Sequence, residues 1–289
     1  WLPLFFLFFQ CGLRGFYSMI IAVLILSVLF GAYLYYLIFQ WKWKKNCQPM
    51  FNSEKPIVFG HRGSPDIVTE NTIPSFQKAI DQGVDGLEFD IRLSEDRQIV
   101  IFHDANLRRL SDREEAVSEL SLTELQSIPL YKKEGQIEDA YIPSLNDVSL
   151  LIHQVKVVNI EIKSEGLFKG HDILKPLVQF LNKHLIDDRC IVSSFNPLIL
   201  MRLRLLRPET VIGFLYNRNR LFHGWDNMVW MFRVQPENLH IHYSLLDSWV
   251  VRWARKKGMR INSYTINDKK VFESAKIDGV FTDNIEYLK

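Results

Sequence analysis

Short apolar runs alternate with helix-like stretches from residue 57 to the C-terminus. Nine runs of four to eight residues are bounded by polar or turn residues, and this pattern predicts strands. The predicted strands are 57–60, 84–91, 99–102, 157–163, 190–194, 211–216, 239–242, 260–265 and 279–282. The stretches between them predict helices at 73–82, 145–153, 171–184, 197–206, 246–257 and 269–275.

The order of these elements favours one architecture. Repeated β-then-α units imply a parallel sheet covered by helices, and about eight units in about 235 residues suit a closed barrel. An open doubly wound sheet is the alternative, but no G-x-G-x-x-G follows the first predicted strand. We therefore predict an α/β fold, a TIM-type (β/α)8 barrel over 56–289. Residues 104–142 are polar and helix-prone, and we expect them to form an insertion on the barrel's active face.

The N-terminal part of the chain has a different pattern. Residues 16–39 carry no charge, which suits the roughly 30 Å hydrocarbon core of a bilayer, so we predict a transmembrane helix at 16–40. The lysines of WKWKK at 41–45 favour a cytoplasmic catalytic domain, and the length of the segment disfavours a signal peptide. We predict a juxtamembrane linker at 41–55. Residues 1–15 are an apolar N-terminal segment, interpreted as truncated; if it also spans the membrane, a hairpin at 12–15 connects the two spans.

Composition excludes several classes of protein. With 47% hydrophobic and 24% charged residues, the chain is a folded globular protein. A formal charge of +2 without a long basic stripe argues against nucleic acid as a partner. Cys11, Cys47 and Cys190 lie far apart and lack CxxC spacing, so they predict neither a zinc site nor a disulfide framework. Cys190 opens an apolar run and is predicted to be buried.

Carboxylates recur on one face of two predicted strands. Because side chains alternate along a strand, Glu88 and Asp90 of GLEFDI point to one face, and Glu161 and Lys163 of NIEIK do the same. Three carboxylates at one barrel mouth raise each other's pKa, and a bound divalent cation is the simplest remedy. Oxygen ligands favour Mg²⁺ or Ca²⁺ over zinc. For an isolated E-x-D pattern, salt-bridged or exposed acids are the alternative interpretation.

Two histidines follow apolar runs that predict strands, His61 after IVFG and His103 after IVIF. Barrels collect catalytic groups at strand ends, and imidazole titrates near neutrality, so both are candidates for acid and base. Together with a divalent ion, Arg62 and Lys163 give about +4 against −3 from the carboxylates, which suits a singly charged phosphodiester. The remaining histidines are predicted to be structural: His153, His171, His184, His223, His240 and His242.

These residues, in this order, resemble the glycerophosphodiester phosphodiesterase family over roughly 57–289. The resemblance implies a TIM-type barrel that hydrolyses glycerophosphodiesters to sn-glycerol 3-phosphate and an alcohol. The motifs that carry it are HRG at 61–63, Glu70-Asn71, E-x-D at 88–90, His103-Asp104, Glu161-x-Lys163, Ser194-Phe195, Asp278-Gly279 and Thr282-Asp283.

The resemblance also implies a role for each matching residue. His61 and His103 are implied to be the acid/base pair, and we expect His61 to be the base and His103 the acid that protonates the leaving group. Glu88, Asp90 and Glu161 are implied to hold one divalent ion, Mg²⁺ or Ca²⁺. Two cations are implied to hold the phosphate, Arg62 and Lys163. Glu70 and Asn71 are implied to brace the first loop or contact the metal's ligands.

Two departures from the family pattern and one segment leave the substrate open. Thr69 replaces a usual Pro, and Tyr264 replaces a usual Trp on a late strand, which can widen the pocket. Residues 221–232 are either an ordinary barrel helix or a lipid-facing lip. Together with the membrane anchor, such a lip would admit a lysophospholipid from the membrane lipid, so a lysophospholipase D is one alternative function. A membrane-anchored barrel that binds without catalysis is the other.

Overall fold

The computed structural model describes residues 2–37, 43, 46, 48, 55–131, 140–184, 186, 188–216 and 225–288. The chain divides into two compact units, Trp1–Trp43 and Lys44–Lys289.

The N-terminal unit is built on helix α1 (Leu2–Tyr35). This helix continues through residues 12–15, so the hairpin considered for that position is wrong. Within the described ranges no helix is long and apolar enough to cross a membrane, and the transmembrane helix predicted at 16–40 is not supported. Residues 38–40 of that segment lie outside the described residues. The cytoplasmic location stays a prediction.

The second unit is the predicted barrel. Eight parallel strands close into a ring in the order β1, β9, β8, β7, β6, β5, β4, β2, and β2 pairs again with β1. This closure excludes the open doubly wound sheet. All nine predicted strands are present, and their ends lie within two residues of prediction. The strands are β1 (Ile57–His61), β2 (Gly86–Leu93), β3 (Ile99–Ile101), β4 (Val157–Ile162), β5 (Cys190–Ser194), β6 (Val211–Leu215), β7 (Asn238–His242), β8 (Arg260–Tyr264) and β9 (Gly279–Thr282).

Strand β3 is not part of the ring, which corrects the expectation that His103 follows a barrel strand. It pairs antiparallel with β2, so that Ile101 lies beside Ile91. The chain thus turns back at the mouth, and the amide of Phe102 donates to the carbonyl of Asp90 at 3.0 Å. His103 reaches the mouth through this return strand and not at the end of a barrel strand.

Helices cover the outside of the ring. Their starts follow from capping residues: Thr72, Asn196 and Asp268 each accept a bond from a backbone amide in the first turn. The α-helices of this unit are α2 (Ile73–Asp81), α3 (Leu122–Gln126), α4 (Leu174–His184), α5 (Pro197–Leu206), α6 (Trp225–Val234), α7 (Trp249–Lys256) and α8 (Lys269–Ser274).

The helix predicted at 145–153 differs from the structure. This segment consists of turns followed by a 3-10 helix, Ile152–Gln154, and Asp147 accepts from the amide of Ser144 at 2.7 Å in one of these turns. Short Asp and Ser side chains that bind nearby backbone favour such turns over a helix.

The segment 221–232 includes most of α6, whose Met228 and Met231 are buried, as in an ordinary barrel helix. Residues 221–224 lie outside the described residues.

The core consists of layers that leave the mouth free. A large apolar cluster fills the space between strands and helices, and a smaller one fills the ring at the N-terminal ends of the strands, where Phe59 stacks on Phe281 at 4.8 Å. Cys190 is buried, as predicted. A third apolar cluster packs the insertion at 104–142 against the end of β3. It includes Phe102, Leu107 and Leu125. Residues 132–139 of the insertion lie outside the described residues.

A buried acid at the start of β7 tests the packing of the ring. Glu237 is 1% exposed and accepts from Arg204 at 2.7 Å and from the amide of Ile212 at 2.8 Å. We expect Glu237→Ala to lower the free energy of unfolding by about 3 kcal/mol, because it leaves a largely buried cation and an amide without their acceptor.

Urea denaturation followed by circular dichroism measures this change. Glu114→Ala is the matched control, because Glu114 and its partner Arg108 are both exposed and their pair is expected to contribute no more than about 1 kcal/mol. Equal denaturation midpoints for the two variants would contradict the packing role of Glu237.

Candidate active site

The C-terminal ends of β1, β2 and β4 bring the predicted polar residues together. Parallel pairing sets Glu88 beside His61 and Asp90 beside Glu161, so neighbouring strands deliver their side chains to one place. A cavity of about 220 Å³ opens there. It is lined by His61, Arg62, Glu88, His103, Asn159, Glu161, Lys163, Phe195, Leu215, His240, Tyr264, Thr265 and Phe281.

The three carboxylates are buried and close. Glu88, Asp90 and Glu161 each offer an oxygen, and these oxygens lie within 4.8 Å of one another. Burial and the charge of Asp90 raise the pKa of Glu88. Burial also raises the pKa of Glu161, against the opposing charge of Lys163. For Asp90, burial is outweighed by Lys163 and Arg62, which lower its pKa.

Two cations offset part of this negative charge. The ammonium of Lys163 lies 2.9 Å from Asp90 and 2.5 Å from Glu161. The guanidinium of Arg62 forms ion pairs with Asp90 at 3.2 Å and Glu70 at 2.9 Å. The mouth therefore holds fixed charges of both signs in a space of low polarity, where their mutual interaction is strong.

The carboxylates fit a hard divalent cation. Within the described part of the chain, Oε1 of Glu88 is buried without a hydrogen-bond partner, which is costly unless something else binds it. Three converging carboxylate oxygens without sulfur ligands are typical of Mg²⁺ or Ca²⁺ sites. Glu88, Asp90 and Glu161 can thus hold a metal ion.

The turn after β1 explains the HRG sequence. Arg62 and Gly63 both have positive φ, 57° and 91°, and a Cβ atom at Gly63 would lie 2.4 Å from the hydroxyl of Ser75. The turn aims the amide of Arg62 at Glu88 Oε2, at 2.9 Å. Glycine at 63 is therefore required by the close packing of the turn against α2.

Glu70 and Asn71 follow this turn and bond to groups of the mouth. Asn71 donates to Asp90 Oδ2 at 2.9 Å and accepts from the amide of Asp90 at 3.3 Å. Glu70 accepts from Arg62, and the charges of Arg109 and Arg62 outweigh burial and lower the pKa of Glu70. Asn71 thus connects the first loop to the carboxylate-bearing strand β2, and Glu70 connects Arg62 to Arg109 of the insertion.

Each of the two candidate histidines has a carboxylate on its Nδ1 atom. Asp283 lies 2.6 Å from Nδ1 of His61, and Asp104 lies 2.6 Å from Nδ1 of His103. An ionised carboxylate accepts from Nδ1–H, so the neutral ring presents its Nε2 lone pair to the cavity that both rings line.

The pKa values of the two rings move in opposite directions. At His61, burial lowers the pKa, but the bond to Asp283 and the charge of Glu88 outweigh it, and the pKa is raised. At His103, burial and the charge of Lys163 lower the pKa to about 4. Near pH 7, His103 is therefore neutral, while His61 holds its proton more firmly.

Sequence reasoning missed several residues of the mouth. Asp104 and Asp283 belong to recognised motifs, but nothing in their spacing showed that they bind histidines. Arg109 lies in the insertion and was not considered. His240, predicted to be structural, lines the cavity, and burial lowers its pKa to about 3. An inward position on β7 was the one signal that could have found it. His223 lies outside the described residues.

Two Asp-bound histidines lie beside clustered carboxylates and a pair of cations at the mouth of a (β/α)8 barrel, an arrangement suited to phosphodiester hydrolysis. The profile of the glycerophosphoryl diester phosphodiesterase family matches residues 61–287, and the chain belongs to this family. It is an enzyme, a phosphodiesterase, as the sequence predicted.

Individual relatives agree with this assignment. A glycerophosphodiester phosphodiesterase of Caldanaerobacter subterraneus subsp. tengcongensis is 32% identical over 81% of this chain and 96% of that protein. A phosphodiesterase of Oleispira antarctica, solved with the product sn-glycerol-3-phosphate, is 29% identical with a TM-score of 0.71 over 81% of this chain and 95% of that one. A glycerophosphodiester phosphodiesterase of Thermotoga maritima is 27% identical with a TM-score of 0.64, covering 82% of this chain and 98% of that one.

The raised pKa of His61 can be tested directly. Because the bond to Asp283 raises this pKa, we expect Asp283→Asn to lower it, so that the ring loses its proton at lower pH than in the wild type. Titration of the histidine ring signals by NMR in the presence of a chelator measures the change.

Asp278→Asn is the matched control, since Asp278 precedes β9 at its other end and bonds to the amide of Ile261. We expect it to leave the pKa of His61 unchanged. An unchanged pKa of His61 in Asp283→Asn would show that this contact does not set the protonation of the ring.

Proposed function

We propose that the protein hydrolyses glycerophosphodiesters to sn-glycerol 3-phosphate and an alcohol. The observation that carries this proposal is the pair of Asp-bound histidines that line one cavity with Arg62 and Lys163. Phosphoryl transfer depends mainly on positioning and on charge, and this cavity has groups for both. The Oleispira enzyme, whose structure contains sn-glycerol-3-phosphate, supports the choice of product.

In this proposal Glu88, Asp90 and Glu161 hold one divalent ion, Mg²⁺ or Ca²⁺. A bound ion of this kind supplies Lewis-acid polarisation of a phosphoryl oxygen. Arg62 and Lys163 bind the remaining phosphate charge, since both lie in the cavity wall next to these carboxylates. Their own carboxylate contacts fix them in place before substrate arrives, which lowers the cost of reorganisation.

The two histidines divide the proton transfers between them. The low pKa of His103 favours this ring as the base that removes a proton from the attacking hydroxyl or water. His61, whose pKa is raised, is then the acid that protonates the departing alcohol. This assignment reverses the one predicted from the sequence. It follows from burial and the charge of Lys163 at His103, which sequence spacing does not reveal.

The size of the cavity bears on the substrate. Its volume of about 220 Å³ lies below the roughly 300–1,000 Å³ of sites that enclose drug-sized ligands. The cavity therefore suits the glycerol phosphate part, with the alcohol outside. In this proposal a water-soluble diester is the substrate. Lysophospholipid is a second substrate only if the alcohol side also binds a lipid.

Metal removal tests the role of the carboxylates. We expect a chelator to lower hydrolysis by roughly 10³-fold, because loss of a Lewis acid costs several kcal/mol of barrier stabilisation. Added Mg²⁺ or Ca²⁺ should restore the rate, and Glu161→Gln should resist this restoration. Glu95→Gln, an exposed acid in the turn between β2 and β3, is the matched control. Full activity in excess chelator would contradict the proposed metal site.

A substrate panel tests the reaction itself. We expect the full chain to release sn-glycerol 3-phosphate from glycerophosphocholine, and the His103→Ala variant to be at least about 10²-fold slower. His184→Ala should leave the rate unchanged. His184 ends α4 and is not among the residues that line the cavity. Hydrolysis of lysophosphatidylcholine alone would replace the proposed substrate with a lysophospholipid, and no activity on either would remove the proposal.

A further inference from the structure

Arg109 lies in the insertion and joins two parts of the mouth. Its guanidinium contacts Glu70 through Nη1 at 2.9 Å and Nη2 at 2.6 Å. Its Nε atom contacts Asp104 Oδ2 at 2.5 Å. One planar group therefore binds two carboxylates that come from separate loops, which suits the fork of an arginine and not the single ammonium of a lysine.

Both carboxylates continue to groups that face the cavity. Glu70 accepts from Arg62, and Asp104 accepts from Nδ1 of His103. Charges thus alternate along a chain of contacts from Arg62 through Glu70 and Arg109 to Asp104, which binds the neutral ring of His103. Arg109 is the middle member, and it is absent from the residues that line the cavity.

Arg109 is 43% exposed, but Glu70, which it binds through two nitrogens, is only 11% exposed, so this pair also contributes to the free energy of unfolding. The ring of His103 depends on Asp104 for its orientation, and Asp104 uses its other oxygen to bind Arg109. A displacement of about 1 Å in a reacting group can cost about 10²-fold in rate.

We propose that Arg109 is a positioning residue, which holds Asp104, and through it the ring of His103, in fixed relation to Glu70 and Arg62. The inference rests on the proposed function for its effect on rate. The orientation of His103 is a property of the protein alone and can be tested without substrate.

The matched variants are Arg109→Gln and Arg108→Gln in the full chain. Arg108 precedes Arg109, is 69% exposed and pairs with Glu114 at 3.4 Å, away from the mouth. We expect Arg109→Gln to lower kcat for glycerophosphocholine by about 10- to 100-fold with a smaller change in KM, and Arg108→Gln to leave both unchanged. Rates are compared well below the melting temperature of each variant, so that a change in stability does not alter kcat. A rise in KM without a fall in kcat would instead indicate that Arg109 binds substrate, and would overturn the proposal.

A double-mutant cycle tests whether Arg109 acts through Asp104. In an Asp104→Asn background, we expect Arg109→Gln to cost less than about 3-fold, because the contact it supports is already lost. The same fold-loss in both backgrounds would overturn the proposal. We expect Arg109→Lys to remain impaired, and full activity of this variant would overturn the need for the fork.

The spectroscopic test is independent of activity. In the wild type and in Arg108→Gln we expect a downfield, slowly exchanging NMR signal from Nδ1–H of His103, bound to Asp104. In Arg109→Gln this signal should be broadened or lost, and an unchanged signal would overturn the proposal. A wild type that keeps the signal but hydrolyses no diester would remove the proposed function and leave the positioning role intact.

Discussion

Mutual repulsion among three buried carboxylates is the constraint on which the mouth of this barrel depends. Glu88, Asp90 and Glu161 lie within reach of one ion, and none of them is more than 7% exposed. Such a cluster persists only with cations around it. The ion pairs of Lys163 and Arg62 meet that need in part, and the hydrogen bonds of the first loop fix where those cations sit.

The same charges give two chemically similar rings different properties. His61 and His103 both bind an aspartate through Nδ1. At His103, however, burial and the charge of Lys163 lower the pKa more than Asp90 and Asp104 raise it. His61 lies 4.0 Å from Glu88, a neighbour that favours its charged form. A pair whose pKa values are separated in this way can both accept and donate a proton at one pH. The separation comes from the surroundings of each ring and not from the rings themselves.

The sequence predicted the barrel and most of its mouth because both depend on local periodicity. Alternation along a strand places Glu88 and Asp90 on one face whatever the fold, and parallel strands end at the same side. Strand β3 was predicted, but its antiparallel pairing with β2 was not, because pairing direction depends on residues distant in sequence. The contacts of Asp283 with His61 and of Arg109 with Glu70 were missed for the same reason. Asp104 adjoins His103 in the chain, and its bond to the ring depends on side-chain orientation, which spacing does not show. The helix predicted at 145–153 failed where Ser144 and Asp147 bind the backbone locally.

The small apolar cluster around Leu107 and Leu125 has a consequence for how this enzyme fails. It is separate from the core of the ring, yet it supports the segment that carries His103, Asp104 and Arg109. Proteins open locally in cooperative units, with free energies that range from near zero up to that of global unfolding. A unit with an apolar cluster of its own can therefore open on warming while the eight strands remain closed. Activity would then be lost before the barrel unfolds, because the described residues of this cluster hold His103 beside the cavity.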